Sequence, residues 1–222
     1  MSTNKKNKNK NNELIRRCYS VNLETREQNG VGIIEGQPIV FNSLADLGYF
    51  EEMIMPGALD ETDLNDVRLC LNHDTSYVYA RSRRNNPNST MELDVIPDGM
   101  NIRASLAIKD SPKAQDYYSA VTRGDIDKMS FMFSIEEEEW ERLDSDYPLR
   151  KIKKIGSVVE VSAVTFPAYE ATQIDARSKE ALDSARSALE SAREKRDVDS
   201  VETEDKNELE LLKQKFIFMS KF

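Results

Sequence analysis

One histidine, His73, stands in a chain of 222 residues, so chemistry that needs an imidazole is confined to the stretch Val67-Arg68-Leu69-Cys70-Leu71-Asn72-His73-Asp74. An imidazole takes up and returns a proton near neutral pH without special tuning. Two further segments offer it partners: residues 124–133 carry Ser130, and residues 158–168 carry Glu160 and Ser162. A serine hydroxyl becomes a useful nucleophile when an adjacent base takes its proton as it attacks a carbonyl, while a third group fixes the tautomer of that base. Ser130, His73 and Glu160 suit those three roles. Asp74 is a second choice for the third role, and Ser162, expected in mid-strand, is a weaker nucleophile candidate. Spacing alone leaves structural readings open. A lone histidine often only makes a structural hydrogen bond, a strand-start serine often bonds backbone, and Glu160 has lysines nearby to pair with.

The elements that must position these residues are readable in outline. Val67, Leu69, Leu71 and His73 fall on one face of a predicted strand, which puts His73 at the end of a buried apolar row and Asp74 on the opposite face. Ser111-Pro112 opens a predicted helix through Ala114, Tyr117, Tyr118 and Val121, with Gly124 closing it. Ser130 then begins a strand, with Ser130, Met132 and Ser134 on one side and Phe131, Phe133 and Ile135 on the other. Residues 136–146 are acidic and 147–154 basic, which suggests a surface hairpin or long loop. Residues 155–164 form the next strand, stopped at Phe166-Pro167. Earlier in the chain, the alternating run from Arg16 and the glycine-flanked run 30–36 read as strand and turn. Residues 91–96 and 100–108, joined by Pro97-Asp98-Gly99, read as a β-hairpin, and residues 60–66 as one or two helical turns.

Composition sets the outer bounds. The length suits one domain with extensions, and 39% hydrophobic against 32% charged residues implies that part of the chain is solvated or peripheral. Residues 1–12, nearly all Lys and Asn, read as a disordered basic arm, residues 13–176 as the folded domain and residues 177–222 as a helical tail. In the tail, Ala181, Ala185, Ala188 and Ala192 with Leu182 and Leu189 make one apolar stripe. Leu209, Leu212, Phe216 and Met219 make a second after a polar break. These stripes call for a cover, either a helix of another chain, a second copy included, or the domain itself. A net charge of −9 and a pI near 4.9 argue against specific nucleic-acid binding. Cys18 and Cys70 supply neither a disulfide framework nor a four-ligand metal site, so reduced thiols and no cofactor are expected. No apolar run approaches the ~20 residues of a membrane span and no signal-peptide core begins the chain, so a soluble protein that stays where it is made is expected.

Four blocks carry a resemblance: Tyr49-Phe50-Glu51-Glu52-Met53-Ile54-Met55-Pro56-Gly57-Ala58-Leu59; Leu71-Asn72-His73-Asp74; Arg123-Gly124-Asp125-Ile126-Asp127-Lys128-Met129-Ser130-Phe131-Met132-Phe133; and Glu160-Val161-Ser162-Ala163-Val164-Thr165-Phe166-Pro167-Ala168. In this order and spacing the chain resembles the tailed-phage prohead maturation proteases, from about Leu14 to Asp175. The resemblance implies an α+β fold, a mostly antiparallel closed β-barrel flanked by helices and similar to the herpesvirus assemblin proteases. It implies a serine endopeptidase acting inside the immature procapsid in the host cytoplasm. Its expected substrates are scaffold, or the scaffolding segment of the major capsid protein, and the protease itself. It matches His73 to the base and Ser130 to the nucleophile. The assemblin-like arrangement uses a second histidine, which this chain lacks, so Glu160, Asp74 or no third residue serves. Neutral imidazole alone accepts the serine proton, so activity is expected to rise with pH. The alternative function is a non-catalytic assembly scaffold on a protease-like fold, which has no physical reason to keep both Ser130 and His73.

Overall fold

The computed structural model describes residues 14–19, 23–165, 183–197 and 213, so the basic arm and the second tail stripe lie outside the described residues. The strands in chain order are β1 (Leu14–Tyr19), β2 (Glu24–Gln28), β3 (Val31–Val40), β4 (Leu44–Asp46), β5 (Glu51–Ile54), β6 (Asp66–Leu71) and β7 (Ala80–Arg83). Then come β8 (Met91–Ile96), β9 (Gly99–Leu106), the helix α1 (Pro112–Thr122), β10 (Lys128–Glu141) and β11 (Leu149–Val164). Residues 183–197 form a second helix, α2.

Local signals account for several of these elements. Ser111 caps α1 by accepting from the Ala114 amide, and Pro112 occupies the first turn, where its missing N–H costs nothing. Gly99, at φ +146°, allows the tight β8–β9 turn, because a Cβ there would collide with the Ile39 carbonyl oxygen. The acidic and basic stretches are the paired outer halves of β10 and β11, with Glu137 opposite Lys154, Glu139 opposite Lys151 and Trp140 opposite Arg150. Opposite charges on facing strands suit this register. Residues 60–66 are not helical. Instead Asp63 donates its amide to the Gly156 carbonyl and accepts from the Val158 amide, bridging to β11, which draws these groups away from helical bonding.

The strands form two sheets. Four strands run β2-β3-β9-β8, and seven form a sheet with the path β1-β10-β11-β5-β4, from which β6 and β7 branch. The class is α+β, mostly antiparallel, but among the described residues the closed barrel implied by the resemblance is not formed. The reason lies in β11. Its first residues pair in parallel with β5 and its last in parallel with β6, so the sheet forks along one long strand instead of curling shut. One backbone bond, from the Thr90 amide to the Arg81 carbonyl at 3.0 Å, reaches from β7 toward the start of β8 without extending into a ladder. Both sheets and α1 share one core, built from Ile34, Met100, Leu106, Tyr117, Phe131, Phe133 and Val161 among others.

Helix α2 covers a separate cluster. Ala185 and Leu189 bury against Leu47 and Phe50, and Arg193 donates to the carbonyls of Leu143 at 3.3 Å and Ser145 at 3.1 Å. For residues 183–197 the cover of the apolar stripe is therefore the chain's own domain. Ending the chain at Asp175 is expected to uncover Phe50 and Leu47 and lower stability by about 2–3 kcal/mol, the scale of one buried leucine with its contacts. Denaturant midpoints of the full and shortened chains check this.

Candidate active site

On β10, Ser130 lies opposite Ser162 of β11, and Met132 lies opposite Glu160. Facing residues and their neighbours two along share one side of a pleated sheet, so Ser130, Ser162 and Glu160 look away from the Phe131, Val161 and Ala163 core face. The parallel strand β6 brings Cys70 level with Ser162, and the chain leaves it at Leu71. Asn72 and His73 then both take positive φ, 51° and 59°, which turns the imidazole back over β11. The strand row expected to end on His73 therefore stops two residues short, and a left-handed turn aims the ring. Asn, His and Asp are the non-glycine types that tolerate this conformation best. The turn is pinned by the Asn72 amide donating to the Ala163 carbonyl and by the Thr165 amide donating to Asn72 Oδ1.

His73 Nε2 lies 2.7 Å from Ser130 Oγ, and Nδ1 lies 2.7 Å from Glu160 Oε2. Glu160 is 1% exposed and Ser130 2% exposed, so both hydrogen bonds are made away from bulk water, where they are electrostatically strong. The other Glu160 oxygen accepts from the Ser162 hydroxyl, whose own oxygen accepts the His73 amide at 3.0 Å. Ser130 Oγ also lies 2.8 Å from the Arg17 carbonyl of β1. Asp74 is directed elsewhere, its Oδ1 accepting the Ser76 amide at 2.9 Å. The Arg123 guanidinium pairs with Asp125 on the exposed surface. A cavity of about 460 Å³ opens at His73, lined also by Leu71, Asn72, Asp74, Thr75, Tyr77 and Tyr79.

Cys18 and Cys70 are buried thiols that are not joined in a disulfide. Burial first, and the Glu160 charge second, push the Cys70 thiol up to about 12, which keeps it protonated and non-nucleophilic at neutral pH. Among the described residues no cluster of three or more His, Cys, Asp or Glu is placed to hold a metal ion. Among them, too, no helix is long and apolar enough to cross a membrane. The contributions of Ser162 and of the Arg17 carbonyl were not anticipated from the sequence, since both depend on strand pairing between distant segments.

A buried hydroxyl, an imidazole and a carboxylate in series form the constellation of a serine hydrolase. Residues 19–186 match the family model of the caudovirus prohead serine protease, so the chain belongs to that family, the serine proteases of phage capsid maturation. No curated protein and no solved structure matches the chain significantly.

Proposed function

We propose that this chain is the endopeptidase that cuts scaffold, or the scaffolding segment of the major capsid protein, inside the immature procapsid in the host cytoplasm, and that it also cuts itself. The observation that carries this is the unbroken series Ser130–His73–Glu160, with both contacts at 2.7 Å. In the first step Ser130 Oγ bonds to the scissile carbonyl carbon while its proton passes to His73 Nε2. Glu160, accepting from Nδ1–H, keeps Nε2 free to receive that proton and offsets the imidazolium charge. The same proton then goes to the leaving amine as the C–N bond breaks. A water molecule, deprotonated by His73, hydrolyses the acyl-serine and restores the hydroxyl. The cavity beside His73 is sized for a substrate side chain next to the scissile bond.

The test is incubation of the purified protein with the major capsid protein and scaffold, with new termini mapped by mass spectrometry. Cleavage by the unsubstituted chain and none by His73→Ala supports the proposal. An inert unsubstituted chain, or equal cleavage by His73→Ala, sinks it. Glu160→Gln is expected to lower kcat on the order of 10⁴-fold, because the amide neither offsets the imidazolium nor selects the correct tautomer. Asp74→Asn, whose carboxylate serves Ser76, is expected to change kcat less than about threefold. The reverse pattern in the two variants would move the third role to Asp74.

The tail, residues 177–222, is proposed to bring the enzyme into the assembling shell, with its second stripe, Leu209, Leu212, Phe216 and Met219, as the part that meets helical scaffold or a second copy.

A further inference from the structure

His73 is held at two points, and one side chain serves both. The Ser162 hydroxyl oxygen accepts the His73 backbone amide at 3.0 Å, and its proton goes to Glu160 Oε1, while Glu160 Oε2 holds the ring at Nδ1 from 2.7 Å. Backbone amide, Ser162, Glu160 and imidazole thus close a ring of hydrogen bonds that begins and ends on the same residue. The ring is needed because His73 and Asn72 both sit at positive φ, a conformation that costs non-glycine residues energy and persists only when neighbours hold it. Ser162 is fully buried at 0% exposure, so its hydroxyl is out of reach of bulk water. Without it, the His73 amide and Glu160 Oε1 each lose a partner in a dry site. The carboxylate is then free to rotate and the turn to relax, and both motions shift Nε2 relative to Ser130.

From this geometry we infer that Ser162 is the positioning residue of the site, acting through Glu160 and the His73 turn and not as a nucleophile. The inference rests on the proposed roles of His73 and Glu160. Displacements of about 1 Å in such a constellation cost on the order of 10²-fold in rate. Ser162→Ala is therefore expected to lower kcat by about 10- to 100-fold with KM changed less than threefold. Because Ser162 acts partly through the carboxylate, the same substitution in a Glu160→Gln background is expected to cost less than about fivefold.

A second readout needs no substrate. His73 is the only histidine, so a low-field proton resonance from its Nδ1–H···Glu160 bond belongs to one site without further assignment. The signal is expected in the full unsubstituted chain and is expected to broaden or vanish in Ser162→Ala, and to weaken in Ser162→Cys, which fills similar space with a poorer donor. The cysteine variant keeps the test available if the alanine variant does not fold. A low-field proton unchanged in the folded variants, a kcat within twofold of the unsubstituted chain, or an equal loss in both backgrounds overturns the inference. Absence of cleavage by the unsubstituted chain overturns the protease proposal instead, and leaves the resonance to decide the role of Ser162.

Discussion

Ser130→Ala is expected to lower kcat for peptide cleavage by about 10⁶-fold while the protein remains folded. The size follows from how such sites fail. When the attacking atom is removed, the base and its carboxylate have nothing left to activate, so the loss approaches that of deleting the whole constellation. The fold should survive because Ser130 belongs to β10 through backbone pairing with β1 and β11, and its neighbours Met129, Phe131 and Phe133 supply the core contacts. Loss of the hydroxyl removes one contact to the Arg17 carbonyl and one to His73, a cost of about 1–3 kcal/mol in a buried setting. Mass spectrometry of capsid-protein fragments reads the first effect and a denaturant melt the second. Fragments at the unsubstituted rate from folded Ser130→Ala would remove Ser130 from the mechanism.

The largest expected effect on stability comes from a residue that touches no substrate. Glu52, at 0% exposure, lies between the guanidiniums of Arg17 and Arg150, accepting from Arg17 Nη2 at 2.8 Å and from Arg150 Nη1 at 3.3 Å. Arg150 also pairs with Glu138, so two cations and two anions share the site. Glu52→Gln leaves buried positive charge without its central counter-ion and is expected to destabilise the fold by about 3–5 kcal/mol, the usual cost of breaking rather than replacing a buried pair. The acid dependence carries a sign. Burial alone would raise the Glu52 carboxyl, but Arg17 and Arg150 outweigh it and hold the group below its ordinary 4.5. A folded value below the unfolded one means that the contribution is complete above about pH 4.5 and is lost only as pH falls through the folded value. Melts across the acid range should therefore converge for the two proteins at low pH and stay apart at neutral pH. Parallel curves at every pH would show that Glu52 is not the group responsible.

Much of the molecule was legible in the sequence wherever the cause was local. The β8–β9 hairpin announces itself through Pro97-Asp98-Gly99, and α1 through Ser111-Pro112 and Gly124, because turns and caps are chosen by neighbouring residues. The residues that meet at the site were named from chemistry and block order, since only one imidazole was available. What remained hidden was non-local. Arg17 and Glu52 are 35 positions apart, and Glu52 and Arg150 98, so no periodicity links them. The fork of β11 between β5 and β6 is likewise a matter of pairing between remote strands. The aim of His73 was missed because alternation was extended through Asn72, where a left-handed turn replaces it.

The contact between β1 and Ser130 has a thermodynamic consequence. Ser130 Oγ owns a single proton and stands within hydrogen-bond distance of two acceptors, the Arg17 carbonyl and His73 Nε2. If the proton goes to the carbonyl, the Ser130 oxygen can only accept at its other contact, which then needs Nε2–H as the donor. If it goes to Nε2, that nitrogen accepts, and the contact with the Arg17 carbonyl carries no proton. The seating of β1 and the hydrogen-bond role of Nε2 are therefore linked through one hydroxyl, and linkage runs in both directions with the same free energy. A hydroxyl turned toward the carbonyl ties β1 to β10, and a hydroxyl released from it is free to face Nε2. A change at the edge of the sheet is thereby felt in which way the Ser130 hydroxyl points.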